Sequence, residues 1–124
     1  MRILTLGQRE VPTFLVSGSP EERRTYIGKI MGKARPRLVL CSLQYRREAI
    51  ETVDFFHTNG YALYVQWLNP GYKDDGPVQD TVGLMPYLLH VGATVSIRDA
   101  SGNPRNRVRE IEEFILGWAS SRVL

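Results

Sequence analysis

Residues Gly18-Ser19-Pro20-Glu21-Glu22-Arg23-Arg24-Thr25 keep the spacing of a phosphate-binding loop but not its full chemistry. In the working pattern G-x-x-x-x-G-K-[ST], backbone N–H groups and the lysine hold phosphates while the hydroxyl holds magnesium. Gly18 and Thr25 match it, whereas Arg23 stands at the second glycine and Arg24 at the lysine. A side chain at position 23 hinders close backbone approach and any positive φ. Glu21 and Glu22 fall in the first turn of a predicted helix, where they gain from its positive end. A phosphate would need the same space and meet two negative charges. Ser19 followed three residues later by Glu22 is also a capping box. The segment therefore reads either as a helix start that satisfies its own donors or as a retained nucleotide site, with ATP and magnesium disfavoured.

Other chemistry-bearing residues are Arg46, Lys73, Arg98 and Asp99. Three cations around one mouth would suit a phosphate or a carboxylate. Asp74, Asp75 or Asp99 could move protons if they lay within reach of a reacting group. Asp74-Asp75-Gly76 equally reads as a turn ahead of a helix. Cys41 is the single cysteine, so no internal disulfide forms. Its apolar run, Leu38-Val39-Leu40-Cys41, predicts a buried thiol of raised pKa and low reactivity. His57 and His90 stand near predicted helix ends without a metal-ligand pattern, and no metal site is expected.

These side chains must be placed by the elements between them. Apolar runs predict strands over 3–6, 13–17, 37–42, 61–68 and 93–97, the middle three continuous, as strands covered on both faces require. Four helices follow from the remaining pattern. The first begins at Pro20 and puts Tyr26, Ile27, Ile30 and Met31 on one face. The second runs over 45–57 with Ala49, Ile50, Val53 and Phe56 inward, and Asn59-Gly60 ends it. The third starts near Pro77 and buries Val82, Met85, Leu88 and Leu89, with Pro86 bending it or shifting its start. The last follows Asn103-Pro104, a cap and a first-turn proline, and carries the stripe Val108, Ile111, Phe114, Ile115 and Trp118.

The order β-β-α-β-α-β-α-β-α predicts an α/β three-layer sandwich around a mostly parallel five-stranded sheet. The first two strands are expected to form a hairpin or to lie side by side. Ligands in such sheets bind beyond the carboxyl ends of the strands, which selects the loops 17–19, 42–47, 69–76 and 98–102. The candidate ligand-binding residues are thus Gly18, Ser19, Arg24, Thr25, Arg46, Lys73, Arg98 and Asp99.

With 124 residues, 43% apolar and 23% charged, the chain is expected to form one domain, 1–124, with its own core. No run nears the length of a membrane-spanning helix, and residues 3–6 are too short for a signal peptide, so a cytoplasmic, membrane-free protein is expected. Residues 1–47 carry ten Lys and Arg against three Glu, a charge of +7, whereas 48–124 carry −4. That asymmetry suits an anionic ligand, a protein partner or head-to-tail self-association. No basic run with interleaved aromatics points to nucleic acid.

In element order, and in the segments 18–25, 38–50 and 59–68, the chain resembles the P-loop nucleoside and nucleotide kinases. A buried strand leads to an arginine-bearing loop, then a helix, then a glycine-tyrosine entry to the next strand. The resemblance implies an adenine-contacting loop over 99–104. Against the family pattern, no carboxylate ends the strand at Cys41-Ser42, no lysine sits in the phosphate loop, and 71–77 is short for a lid without paired arginines. Phosphoryl transfer rests on positioning and charge stabilisation, so the expectation is a kinase-like domain with a degenerate phosphate loop, a non-catalytic binding or accessory protein. A small transferase or hydrolase acting on an anionic substrate, and a structural or assembly subunit, are the alternatives. A flavodoxin-like doubly wound sheet fits the same element order.

Overall fold

The computed structural model describes residues 2–16, 18–71 and 76–120, and the backbone alone of Glu22. The chain is α/β. Its described elements are β1 (Arg2–Leu6), β2 (Arg9–Val16), α1 (Pro20–Arg23), α2 (Ile27–Met31), β3 (Val39–Cys41), α3 (Ala49–Thr58), β4 (Tyr64–Leu68), α4 (Leu84–His90), β5 (Thr94–Arg98) and α5 (Arg105–Ser120). Among the described residues no helix is long and apolar enough to cross a membrane.

β1 and β2 form an antiparallel hairpin from Arg2↔Thr13 to Leu6↔Arg9, which leaves Gly7 and Gln8 to turn the chain. Gly7 has φ 60°. A two-residue hairpin requires such a left-handed value at its first position, and a side chain there resists it.

The expected single five-stranded, mostly parallel sheet is not formed. One sheet has the order β1-β2-β3, with β2 and β3 parallel; a separate sheet pairs β4 with β5 in parallel. β3 is only three residues long, against the six expected. The chain then turns away, with the Arg46 N–H donating to the Gln44 carbonyl at 2.9 Å. β4 starts three residues later than expected, at Tyr64; ahead of it the Tyr61 N–H donates to the Phe56 carbonyl at 3.0 Å and the Tyr61 hydroxyl to the Pro36 carbonyl at 2.6 Å. Among the described residues β3 and β4 share no ladder. β2 also departs from a continuous buried run, with Val11, Thr13 and Val16 buried while Pro12 and Leu15 are exposed.

Two apolar clusters hold the fold, and α3 contributes to both. Phe55 and Phe56 pack with Val16, Ile27 and Met31; Ala49 and Val53 pack with Leu84 and Leu88. Leu63 touches both clusters. Alternation along β4 sends Val65 and Trp67 into the second cluster and Tyr64 and Gln66 to the other side. There Tyr64 stacks on Phe114 of α5, centroids 4.3 Å apart, and the Gln66 Nε2 donates to the Arg107 carbonyl at 2.9 Å.

Helix boundaries differ from the expectation where local hydrogen bonding intervenes. α3 starts at Ala49, after the tight turns of 46–48. α4 starts at Leu84, where the Asp80 carboxylate accepts the N–H groups of Leu84 (3.2 Å) and Met85 (2.8 Å). Pro86 then falls in the first turn, whose N–H groups have no intrahelical partner in any case. Leu84 and Leu88 face the core, and Leu89, expected inside, is 62% exposed. α5 starts as expected, with Asn103 Oδ1 accepting the Arg105 N–H at 2.9 Å.

Candidate functional site

The loop after β2 does not lead into one long helix. α1 lasts a single turn and stops at Arg24, whose φ is 52°. The Thr25 N–H donates to the Pro20 carbonyl (3.1 Å) and the Arg24 N–H to the Glu21 carbonyl (3.3 Å). This pair of bonds is the left-handed helix stop that normally takes glycine. The same pair closes α3 at Gly60 and α4 at Gly92, so Arg24 is an arginine in a glycine's conformation. The positive φ falls on the lysine position of the phosphate-loop pattern, not on Arg23. The Arg23 N–H is also used, by the Ser19 carbonyl at 3.1 Å, and the Thr25 hydroxyl donates to the Arg23 carbonyl at 3.1 Å. The amides of Arg23, Arg24 and Thr25, at the glycine, lysine and hydroxyl positions of the pattern, are thus bound internally.

A left-handed conformation costs an L-residue about 1–2 kcal/mol, partly offset in a glycine variant by the freer unfolded chain. Arg24→Gly is therefore expected to raise the unfolding free energy by about 1 kcal/mol, read from urea denaturation, while weakening any ligand that Arg24 holds.

What the fold does assemble is a cavity of about 390 Å³ at the carboxyl ends of β2 and β3. Arg24 and Thr25 reach it from the first loop, Arg46 from the second, and Glu51 and Thr52 from α3. Glu21 of α1 lines it too and is only 7% exposed. Its Oε1 accepts the Thr52 hydroxyl at 3.2 Å, and its Oε2 is buried with no hydrogen-bond partner among the described residues. The volume lies in the range of small-molecule sites.

Of the residues singled out from the sequence, Arg24, Thr25 and Arg46 thus meet in one cavity. Ser19 is buried at the start of α1, and Gly18, with φ 77°, makes the turn into it. Arg98 and Asp99 are engaged elsewhere. The Arg98 guanidinium grips Glu110 of α5 through Nε–Oε1 (2.7 Å) and Nη2–Oε2 (2.6 Å). That pairing raises the Arg98 pKa and holds the Glu110 carboxyl below its usual range. Asp99 Oδ1 accepts the N–H (2.7 Å) and hydroxyl (2.6 Å) of Ser101, bonds that depress its pKa. Lys73, Asp74 and Asp75, and the Ser19–Glu22 capping box, lie outside what the structure describes. Among the described residues no group of three or more His, Cys, Asp or Glu is placed to hold a metal ion.

A second cavity, of about 360 Å³, opens where β3 and β4 part, and it is largely apolar, walled by Leu43, Val65, Trp67, Leu84 and Leu88. Tyr45 stands at its edge, its ring edge-on to Trp67 at 5.6 Å. The Tyr45 hydroxyl donates to Asp80 (2.5 Å) and accepts the N–H groups of Thr81 (2.6 Å) and Val82 (3.2 Å). Burial alone would raise the Asp80 pKa, but the bonds from Tyr45 and the amides of Met85, Leu84 and Gly83 outweigh it and lower the value. These groups fasten the 80–83 segment and start α4.

Cys41 is half-buried beside the first cavity's acid. Burial, and then the Glu21 charge, push its thiol up to about 12. The thiolate at pH 8 is then about one part in ten thousand. Iodoacetamide at that pH is expected to label native Cys41 about a hundredfold more slowly than an unfolded thiol, the roughly thousandfold deficit in thiolate being partly offset by the greater nucleophilicity of a high-pKa thiolate, with urea restoring the rate.

Sequence reasoning missed the tertiary roles of Glu21, Tyr45 and Asp80. One signal was available for Glu21: Thr52 lies on the apolar side of the second predicted helix, three residues after Ala49 and four before Phe56, and a buried hydroxyl there calls for a partner. Comparison with protein-family models, curated proteins and solved structures finds no match.

Proposed function

We propose that this domain binds a small anionic molecule in the cavity between the loops after β2 and β3, as a non-catalytic or accessory protein. The framework is read as a kinase-like α/β sandwich, split between β3 and β4, whose phosphate loop has closed on itself. The observation that carries this reading is the meeting of Arg24 and Arg46, from separate loops, in one cavity with the hydroxyl-bearing Thr25. Two guanidinium groups offer charge-assisted hydrogen bonds to a phosphate or carboxylate. The amides at 23–25, committed to Ser19, Glu21 and Pro20, speak against a triphosphate seated in the P-loop manner.

Calorimetric titration with ethyl phosphate, beside an assay of ATP turnover with magnesium, tests the reading. Saturable binding that falls with rising salt is expected, since both arginines are exposed and exposed charges are screened. No magnesium-dependent turnover is expected. Turnover that disappears in Arg24→Ala would show a working kinase site and overturn the proposal.

A further inference from the structure

Glu21 gives the cavity a second chemical character. A buried carboxylate is held at low cost only when its oxygens are paired, and in this one the Thr52 hydroxyl serves Oε1 while Oε2 has no protein donor among the described residues. The described lining carries Glu21, Glu48 and Glu51 against Arg24 and Arg46, one acid more than it has bases. A simple anion could pair with the arginines but would leave the buried Glu21 carboxylate unbalanced. The charges also differ in depth: Glu21 is buried, whereas Arg24, Arg46, Glu48 and Glu51 are exposed, so the one buried charge of the described lining is negative.

Building on the anion-site reading, we infer that the ligand is a small zwitterion, an ammonium and an anionic group on one molecule, with the ammonium on Glu21 and the anion between Arg24 and Arg46. A hydroxyl could donate to Oε2 but would leave the carboxylate charge unbalanced. An ammonium supplies both the donor and the opposite charge, and such charge-assisted bonds are about twice as strong as neutral ones. Thr25 and Tyr26, also in the lining, add hydroxyl-bearing side chains without altering the charge balance.

The test compares phosphoethanolamine with ethyl phosphate, which lacks the amine, and glycerol phosphate, which carries hydroxyls in its place. Phosphoethanolamine is expected to bind wild-type protein about tenfold more tightly than either. Glu21→Gln should bring the three to within about twofold, and Arg46→Ala should weaken all three together. Equal affinities in the wild type would overturn the inference, and that comparison needs no variant to fold. A preference that survives Glu21→Gln would overturn it as well. Ethyl phosphate binding without an ammonium preference leaves the anion site standing and removes only this inference; no binding by any of the three removes both.

Discussion

Arg24→Ala combined with Arg46→Ala is expected to weaken ethyl phosphate binding by about a hundredfold. Hydrogen bonds from a charged donor contribute about 1.5–3 kcal/mol each, and each arginine brings at least one. Because both side chains are exposed, the lower end applies, about 3 kcal/mol for the pair. The fold should survive, since neither side chain belongs to an apolar cluster. Arg24 contributes a further diagnostic. Its left-handed backbone is relieved by glycine but not by alanine, so Arg24→Gly and Arg24→Ala should lose similar affinity while differing in stability. Equal binding by wild type and the double variant in calorimetry would exclude the arginine pair as the anion site. Backbone strain of this kind is kept where a side chain's role outweighs it, which is the role proposed for Arg24.

The largest stability change is expected from Phe56→Ala, a loss of about 3–5 kcal/mol. Phe56 is buried in the first cluster, edge-on to Phe55 and to Tyr61 with centroids 5.4 Å apart in each pair. Its removal leaves a cavity against Val16 and Ile27 and forfeits both ring contacts, each adding about 0.5–1.5 kcal/mol beyond burial. Against a total of about 5–15 kcal/mol for a domain, this is a large fraction. Urea denaturation should show a lower midpoint with an unchanged slope, and Phe56→Leu should recover much of the loss. The site would register it too, because Thr52, one turn earlier on α3, holds Glu21. A change below about 1 kcal/mol would mean that the cluster closes over the missing ring.

Much of the element order was legible from the residues. Gly60 stops α3 and Asn103 caps α5 because these are local devices, satisfied within a few residues of chain. Pro86 announced a displaced helix start, but the carboxylate that receives the freed amides, Asp80, is itself held by Tyr45, 35 residues away. No periodicity encodes that contact. Likewise Leu89 sits at a helical spacing suited to the core, yet it is exposed, because α4 turns Leu84 and Leu88, four residues apart, toward α3 instead.

For the candidate site, sequence alone settled the residue types, the strand ends after which they fall, and the substitution of arginines for glycine and lysine in the phosphate-loop pattern. These follow from hydrophobic spacing and from chemistry carried by single residues. Tertiary structure decided the rest: that the chain breaks at Arg24, that β3 and β4 part, that Arg98 is spent on Glu110, and that Glu21 turns inward to Thr52. Each depends on whether a backbone amide or a charged group finds its partner nearby or across the fold. That competition is resolved only when distant segments pack together, so it leaves no mark in local sequence.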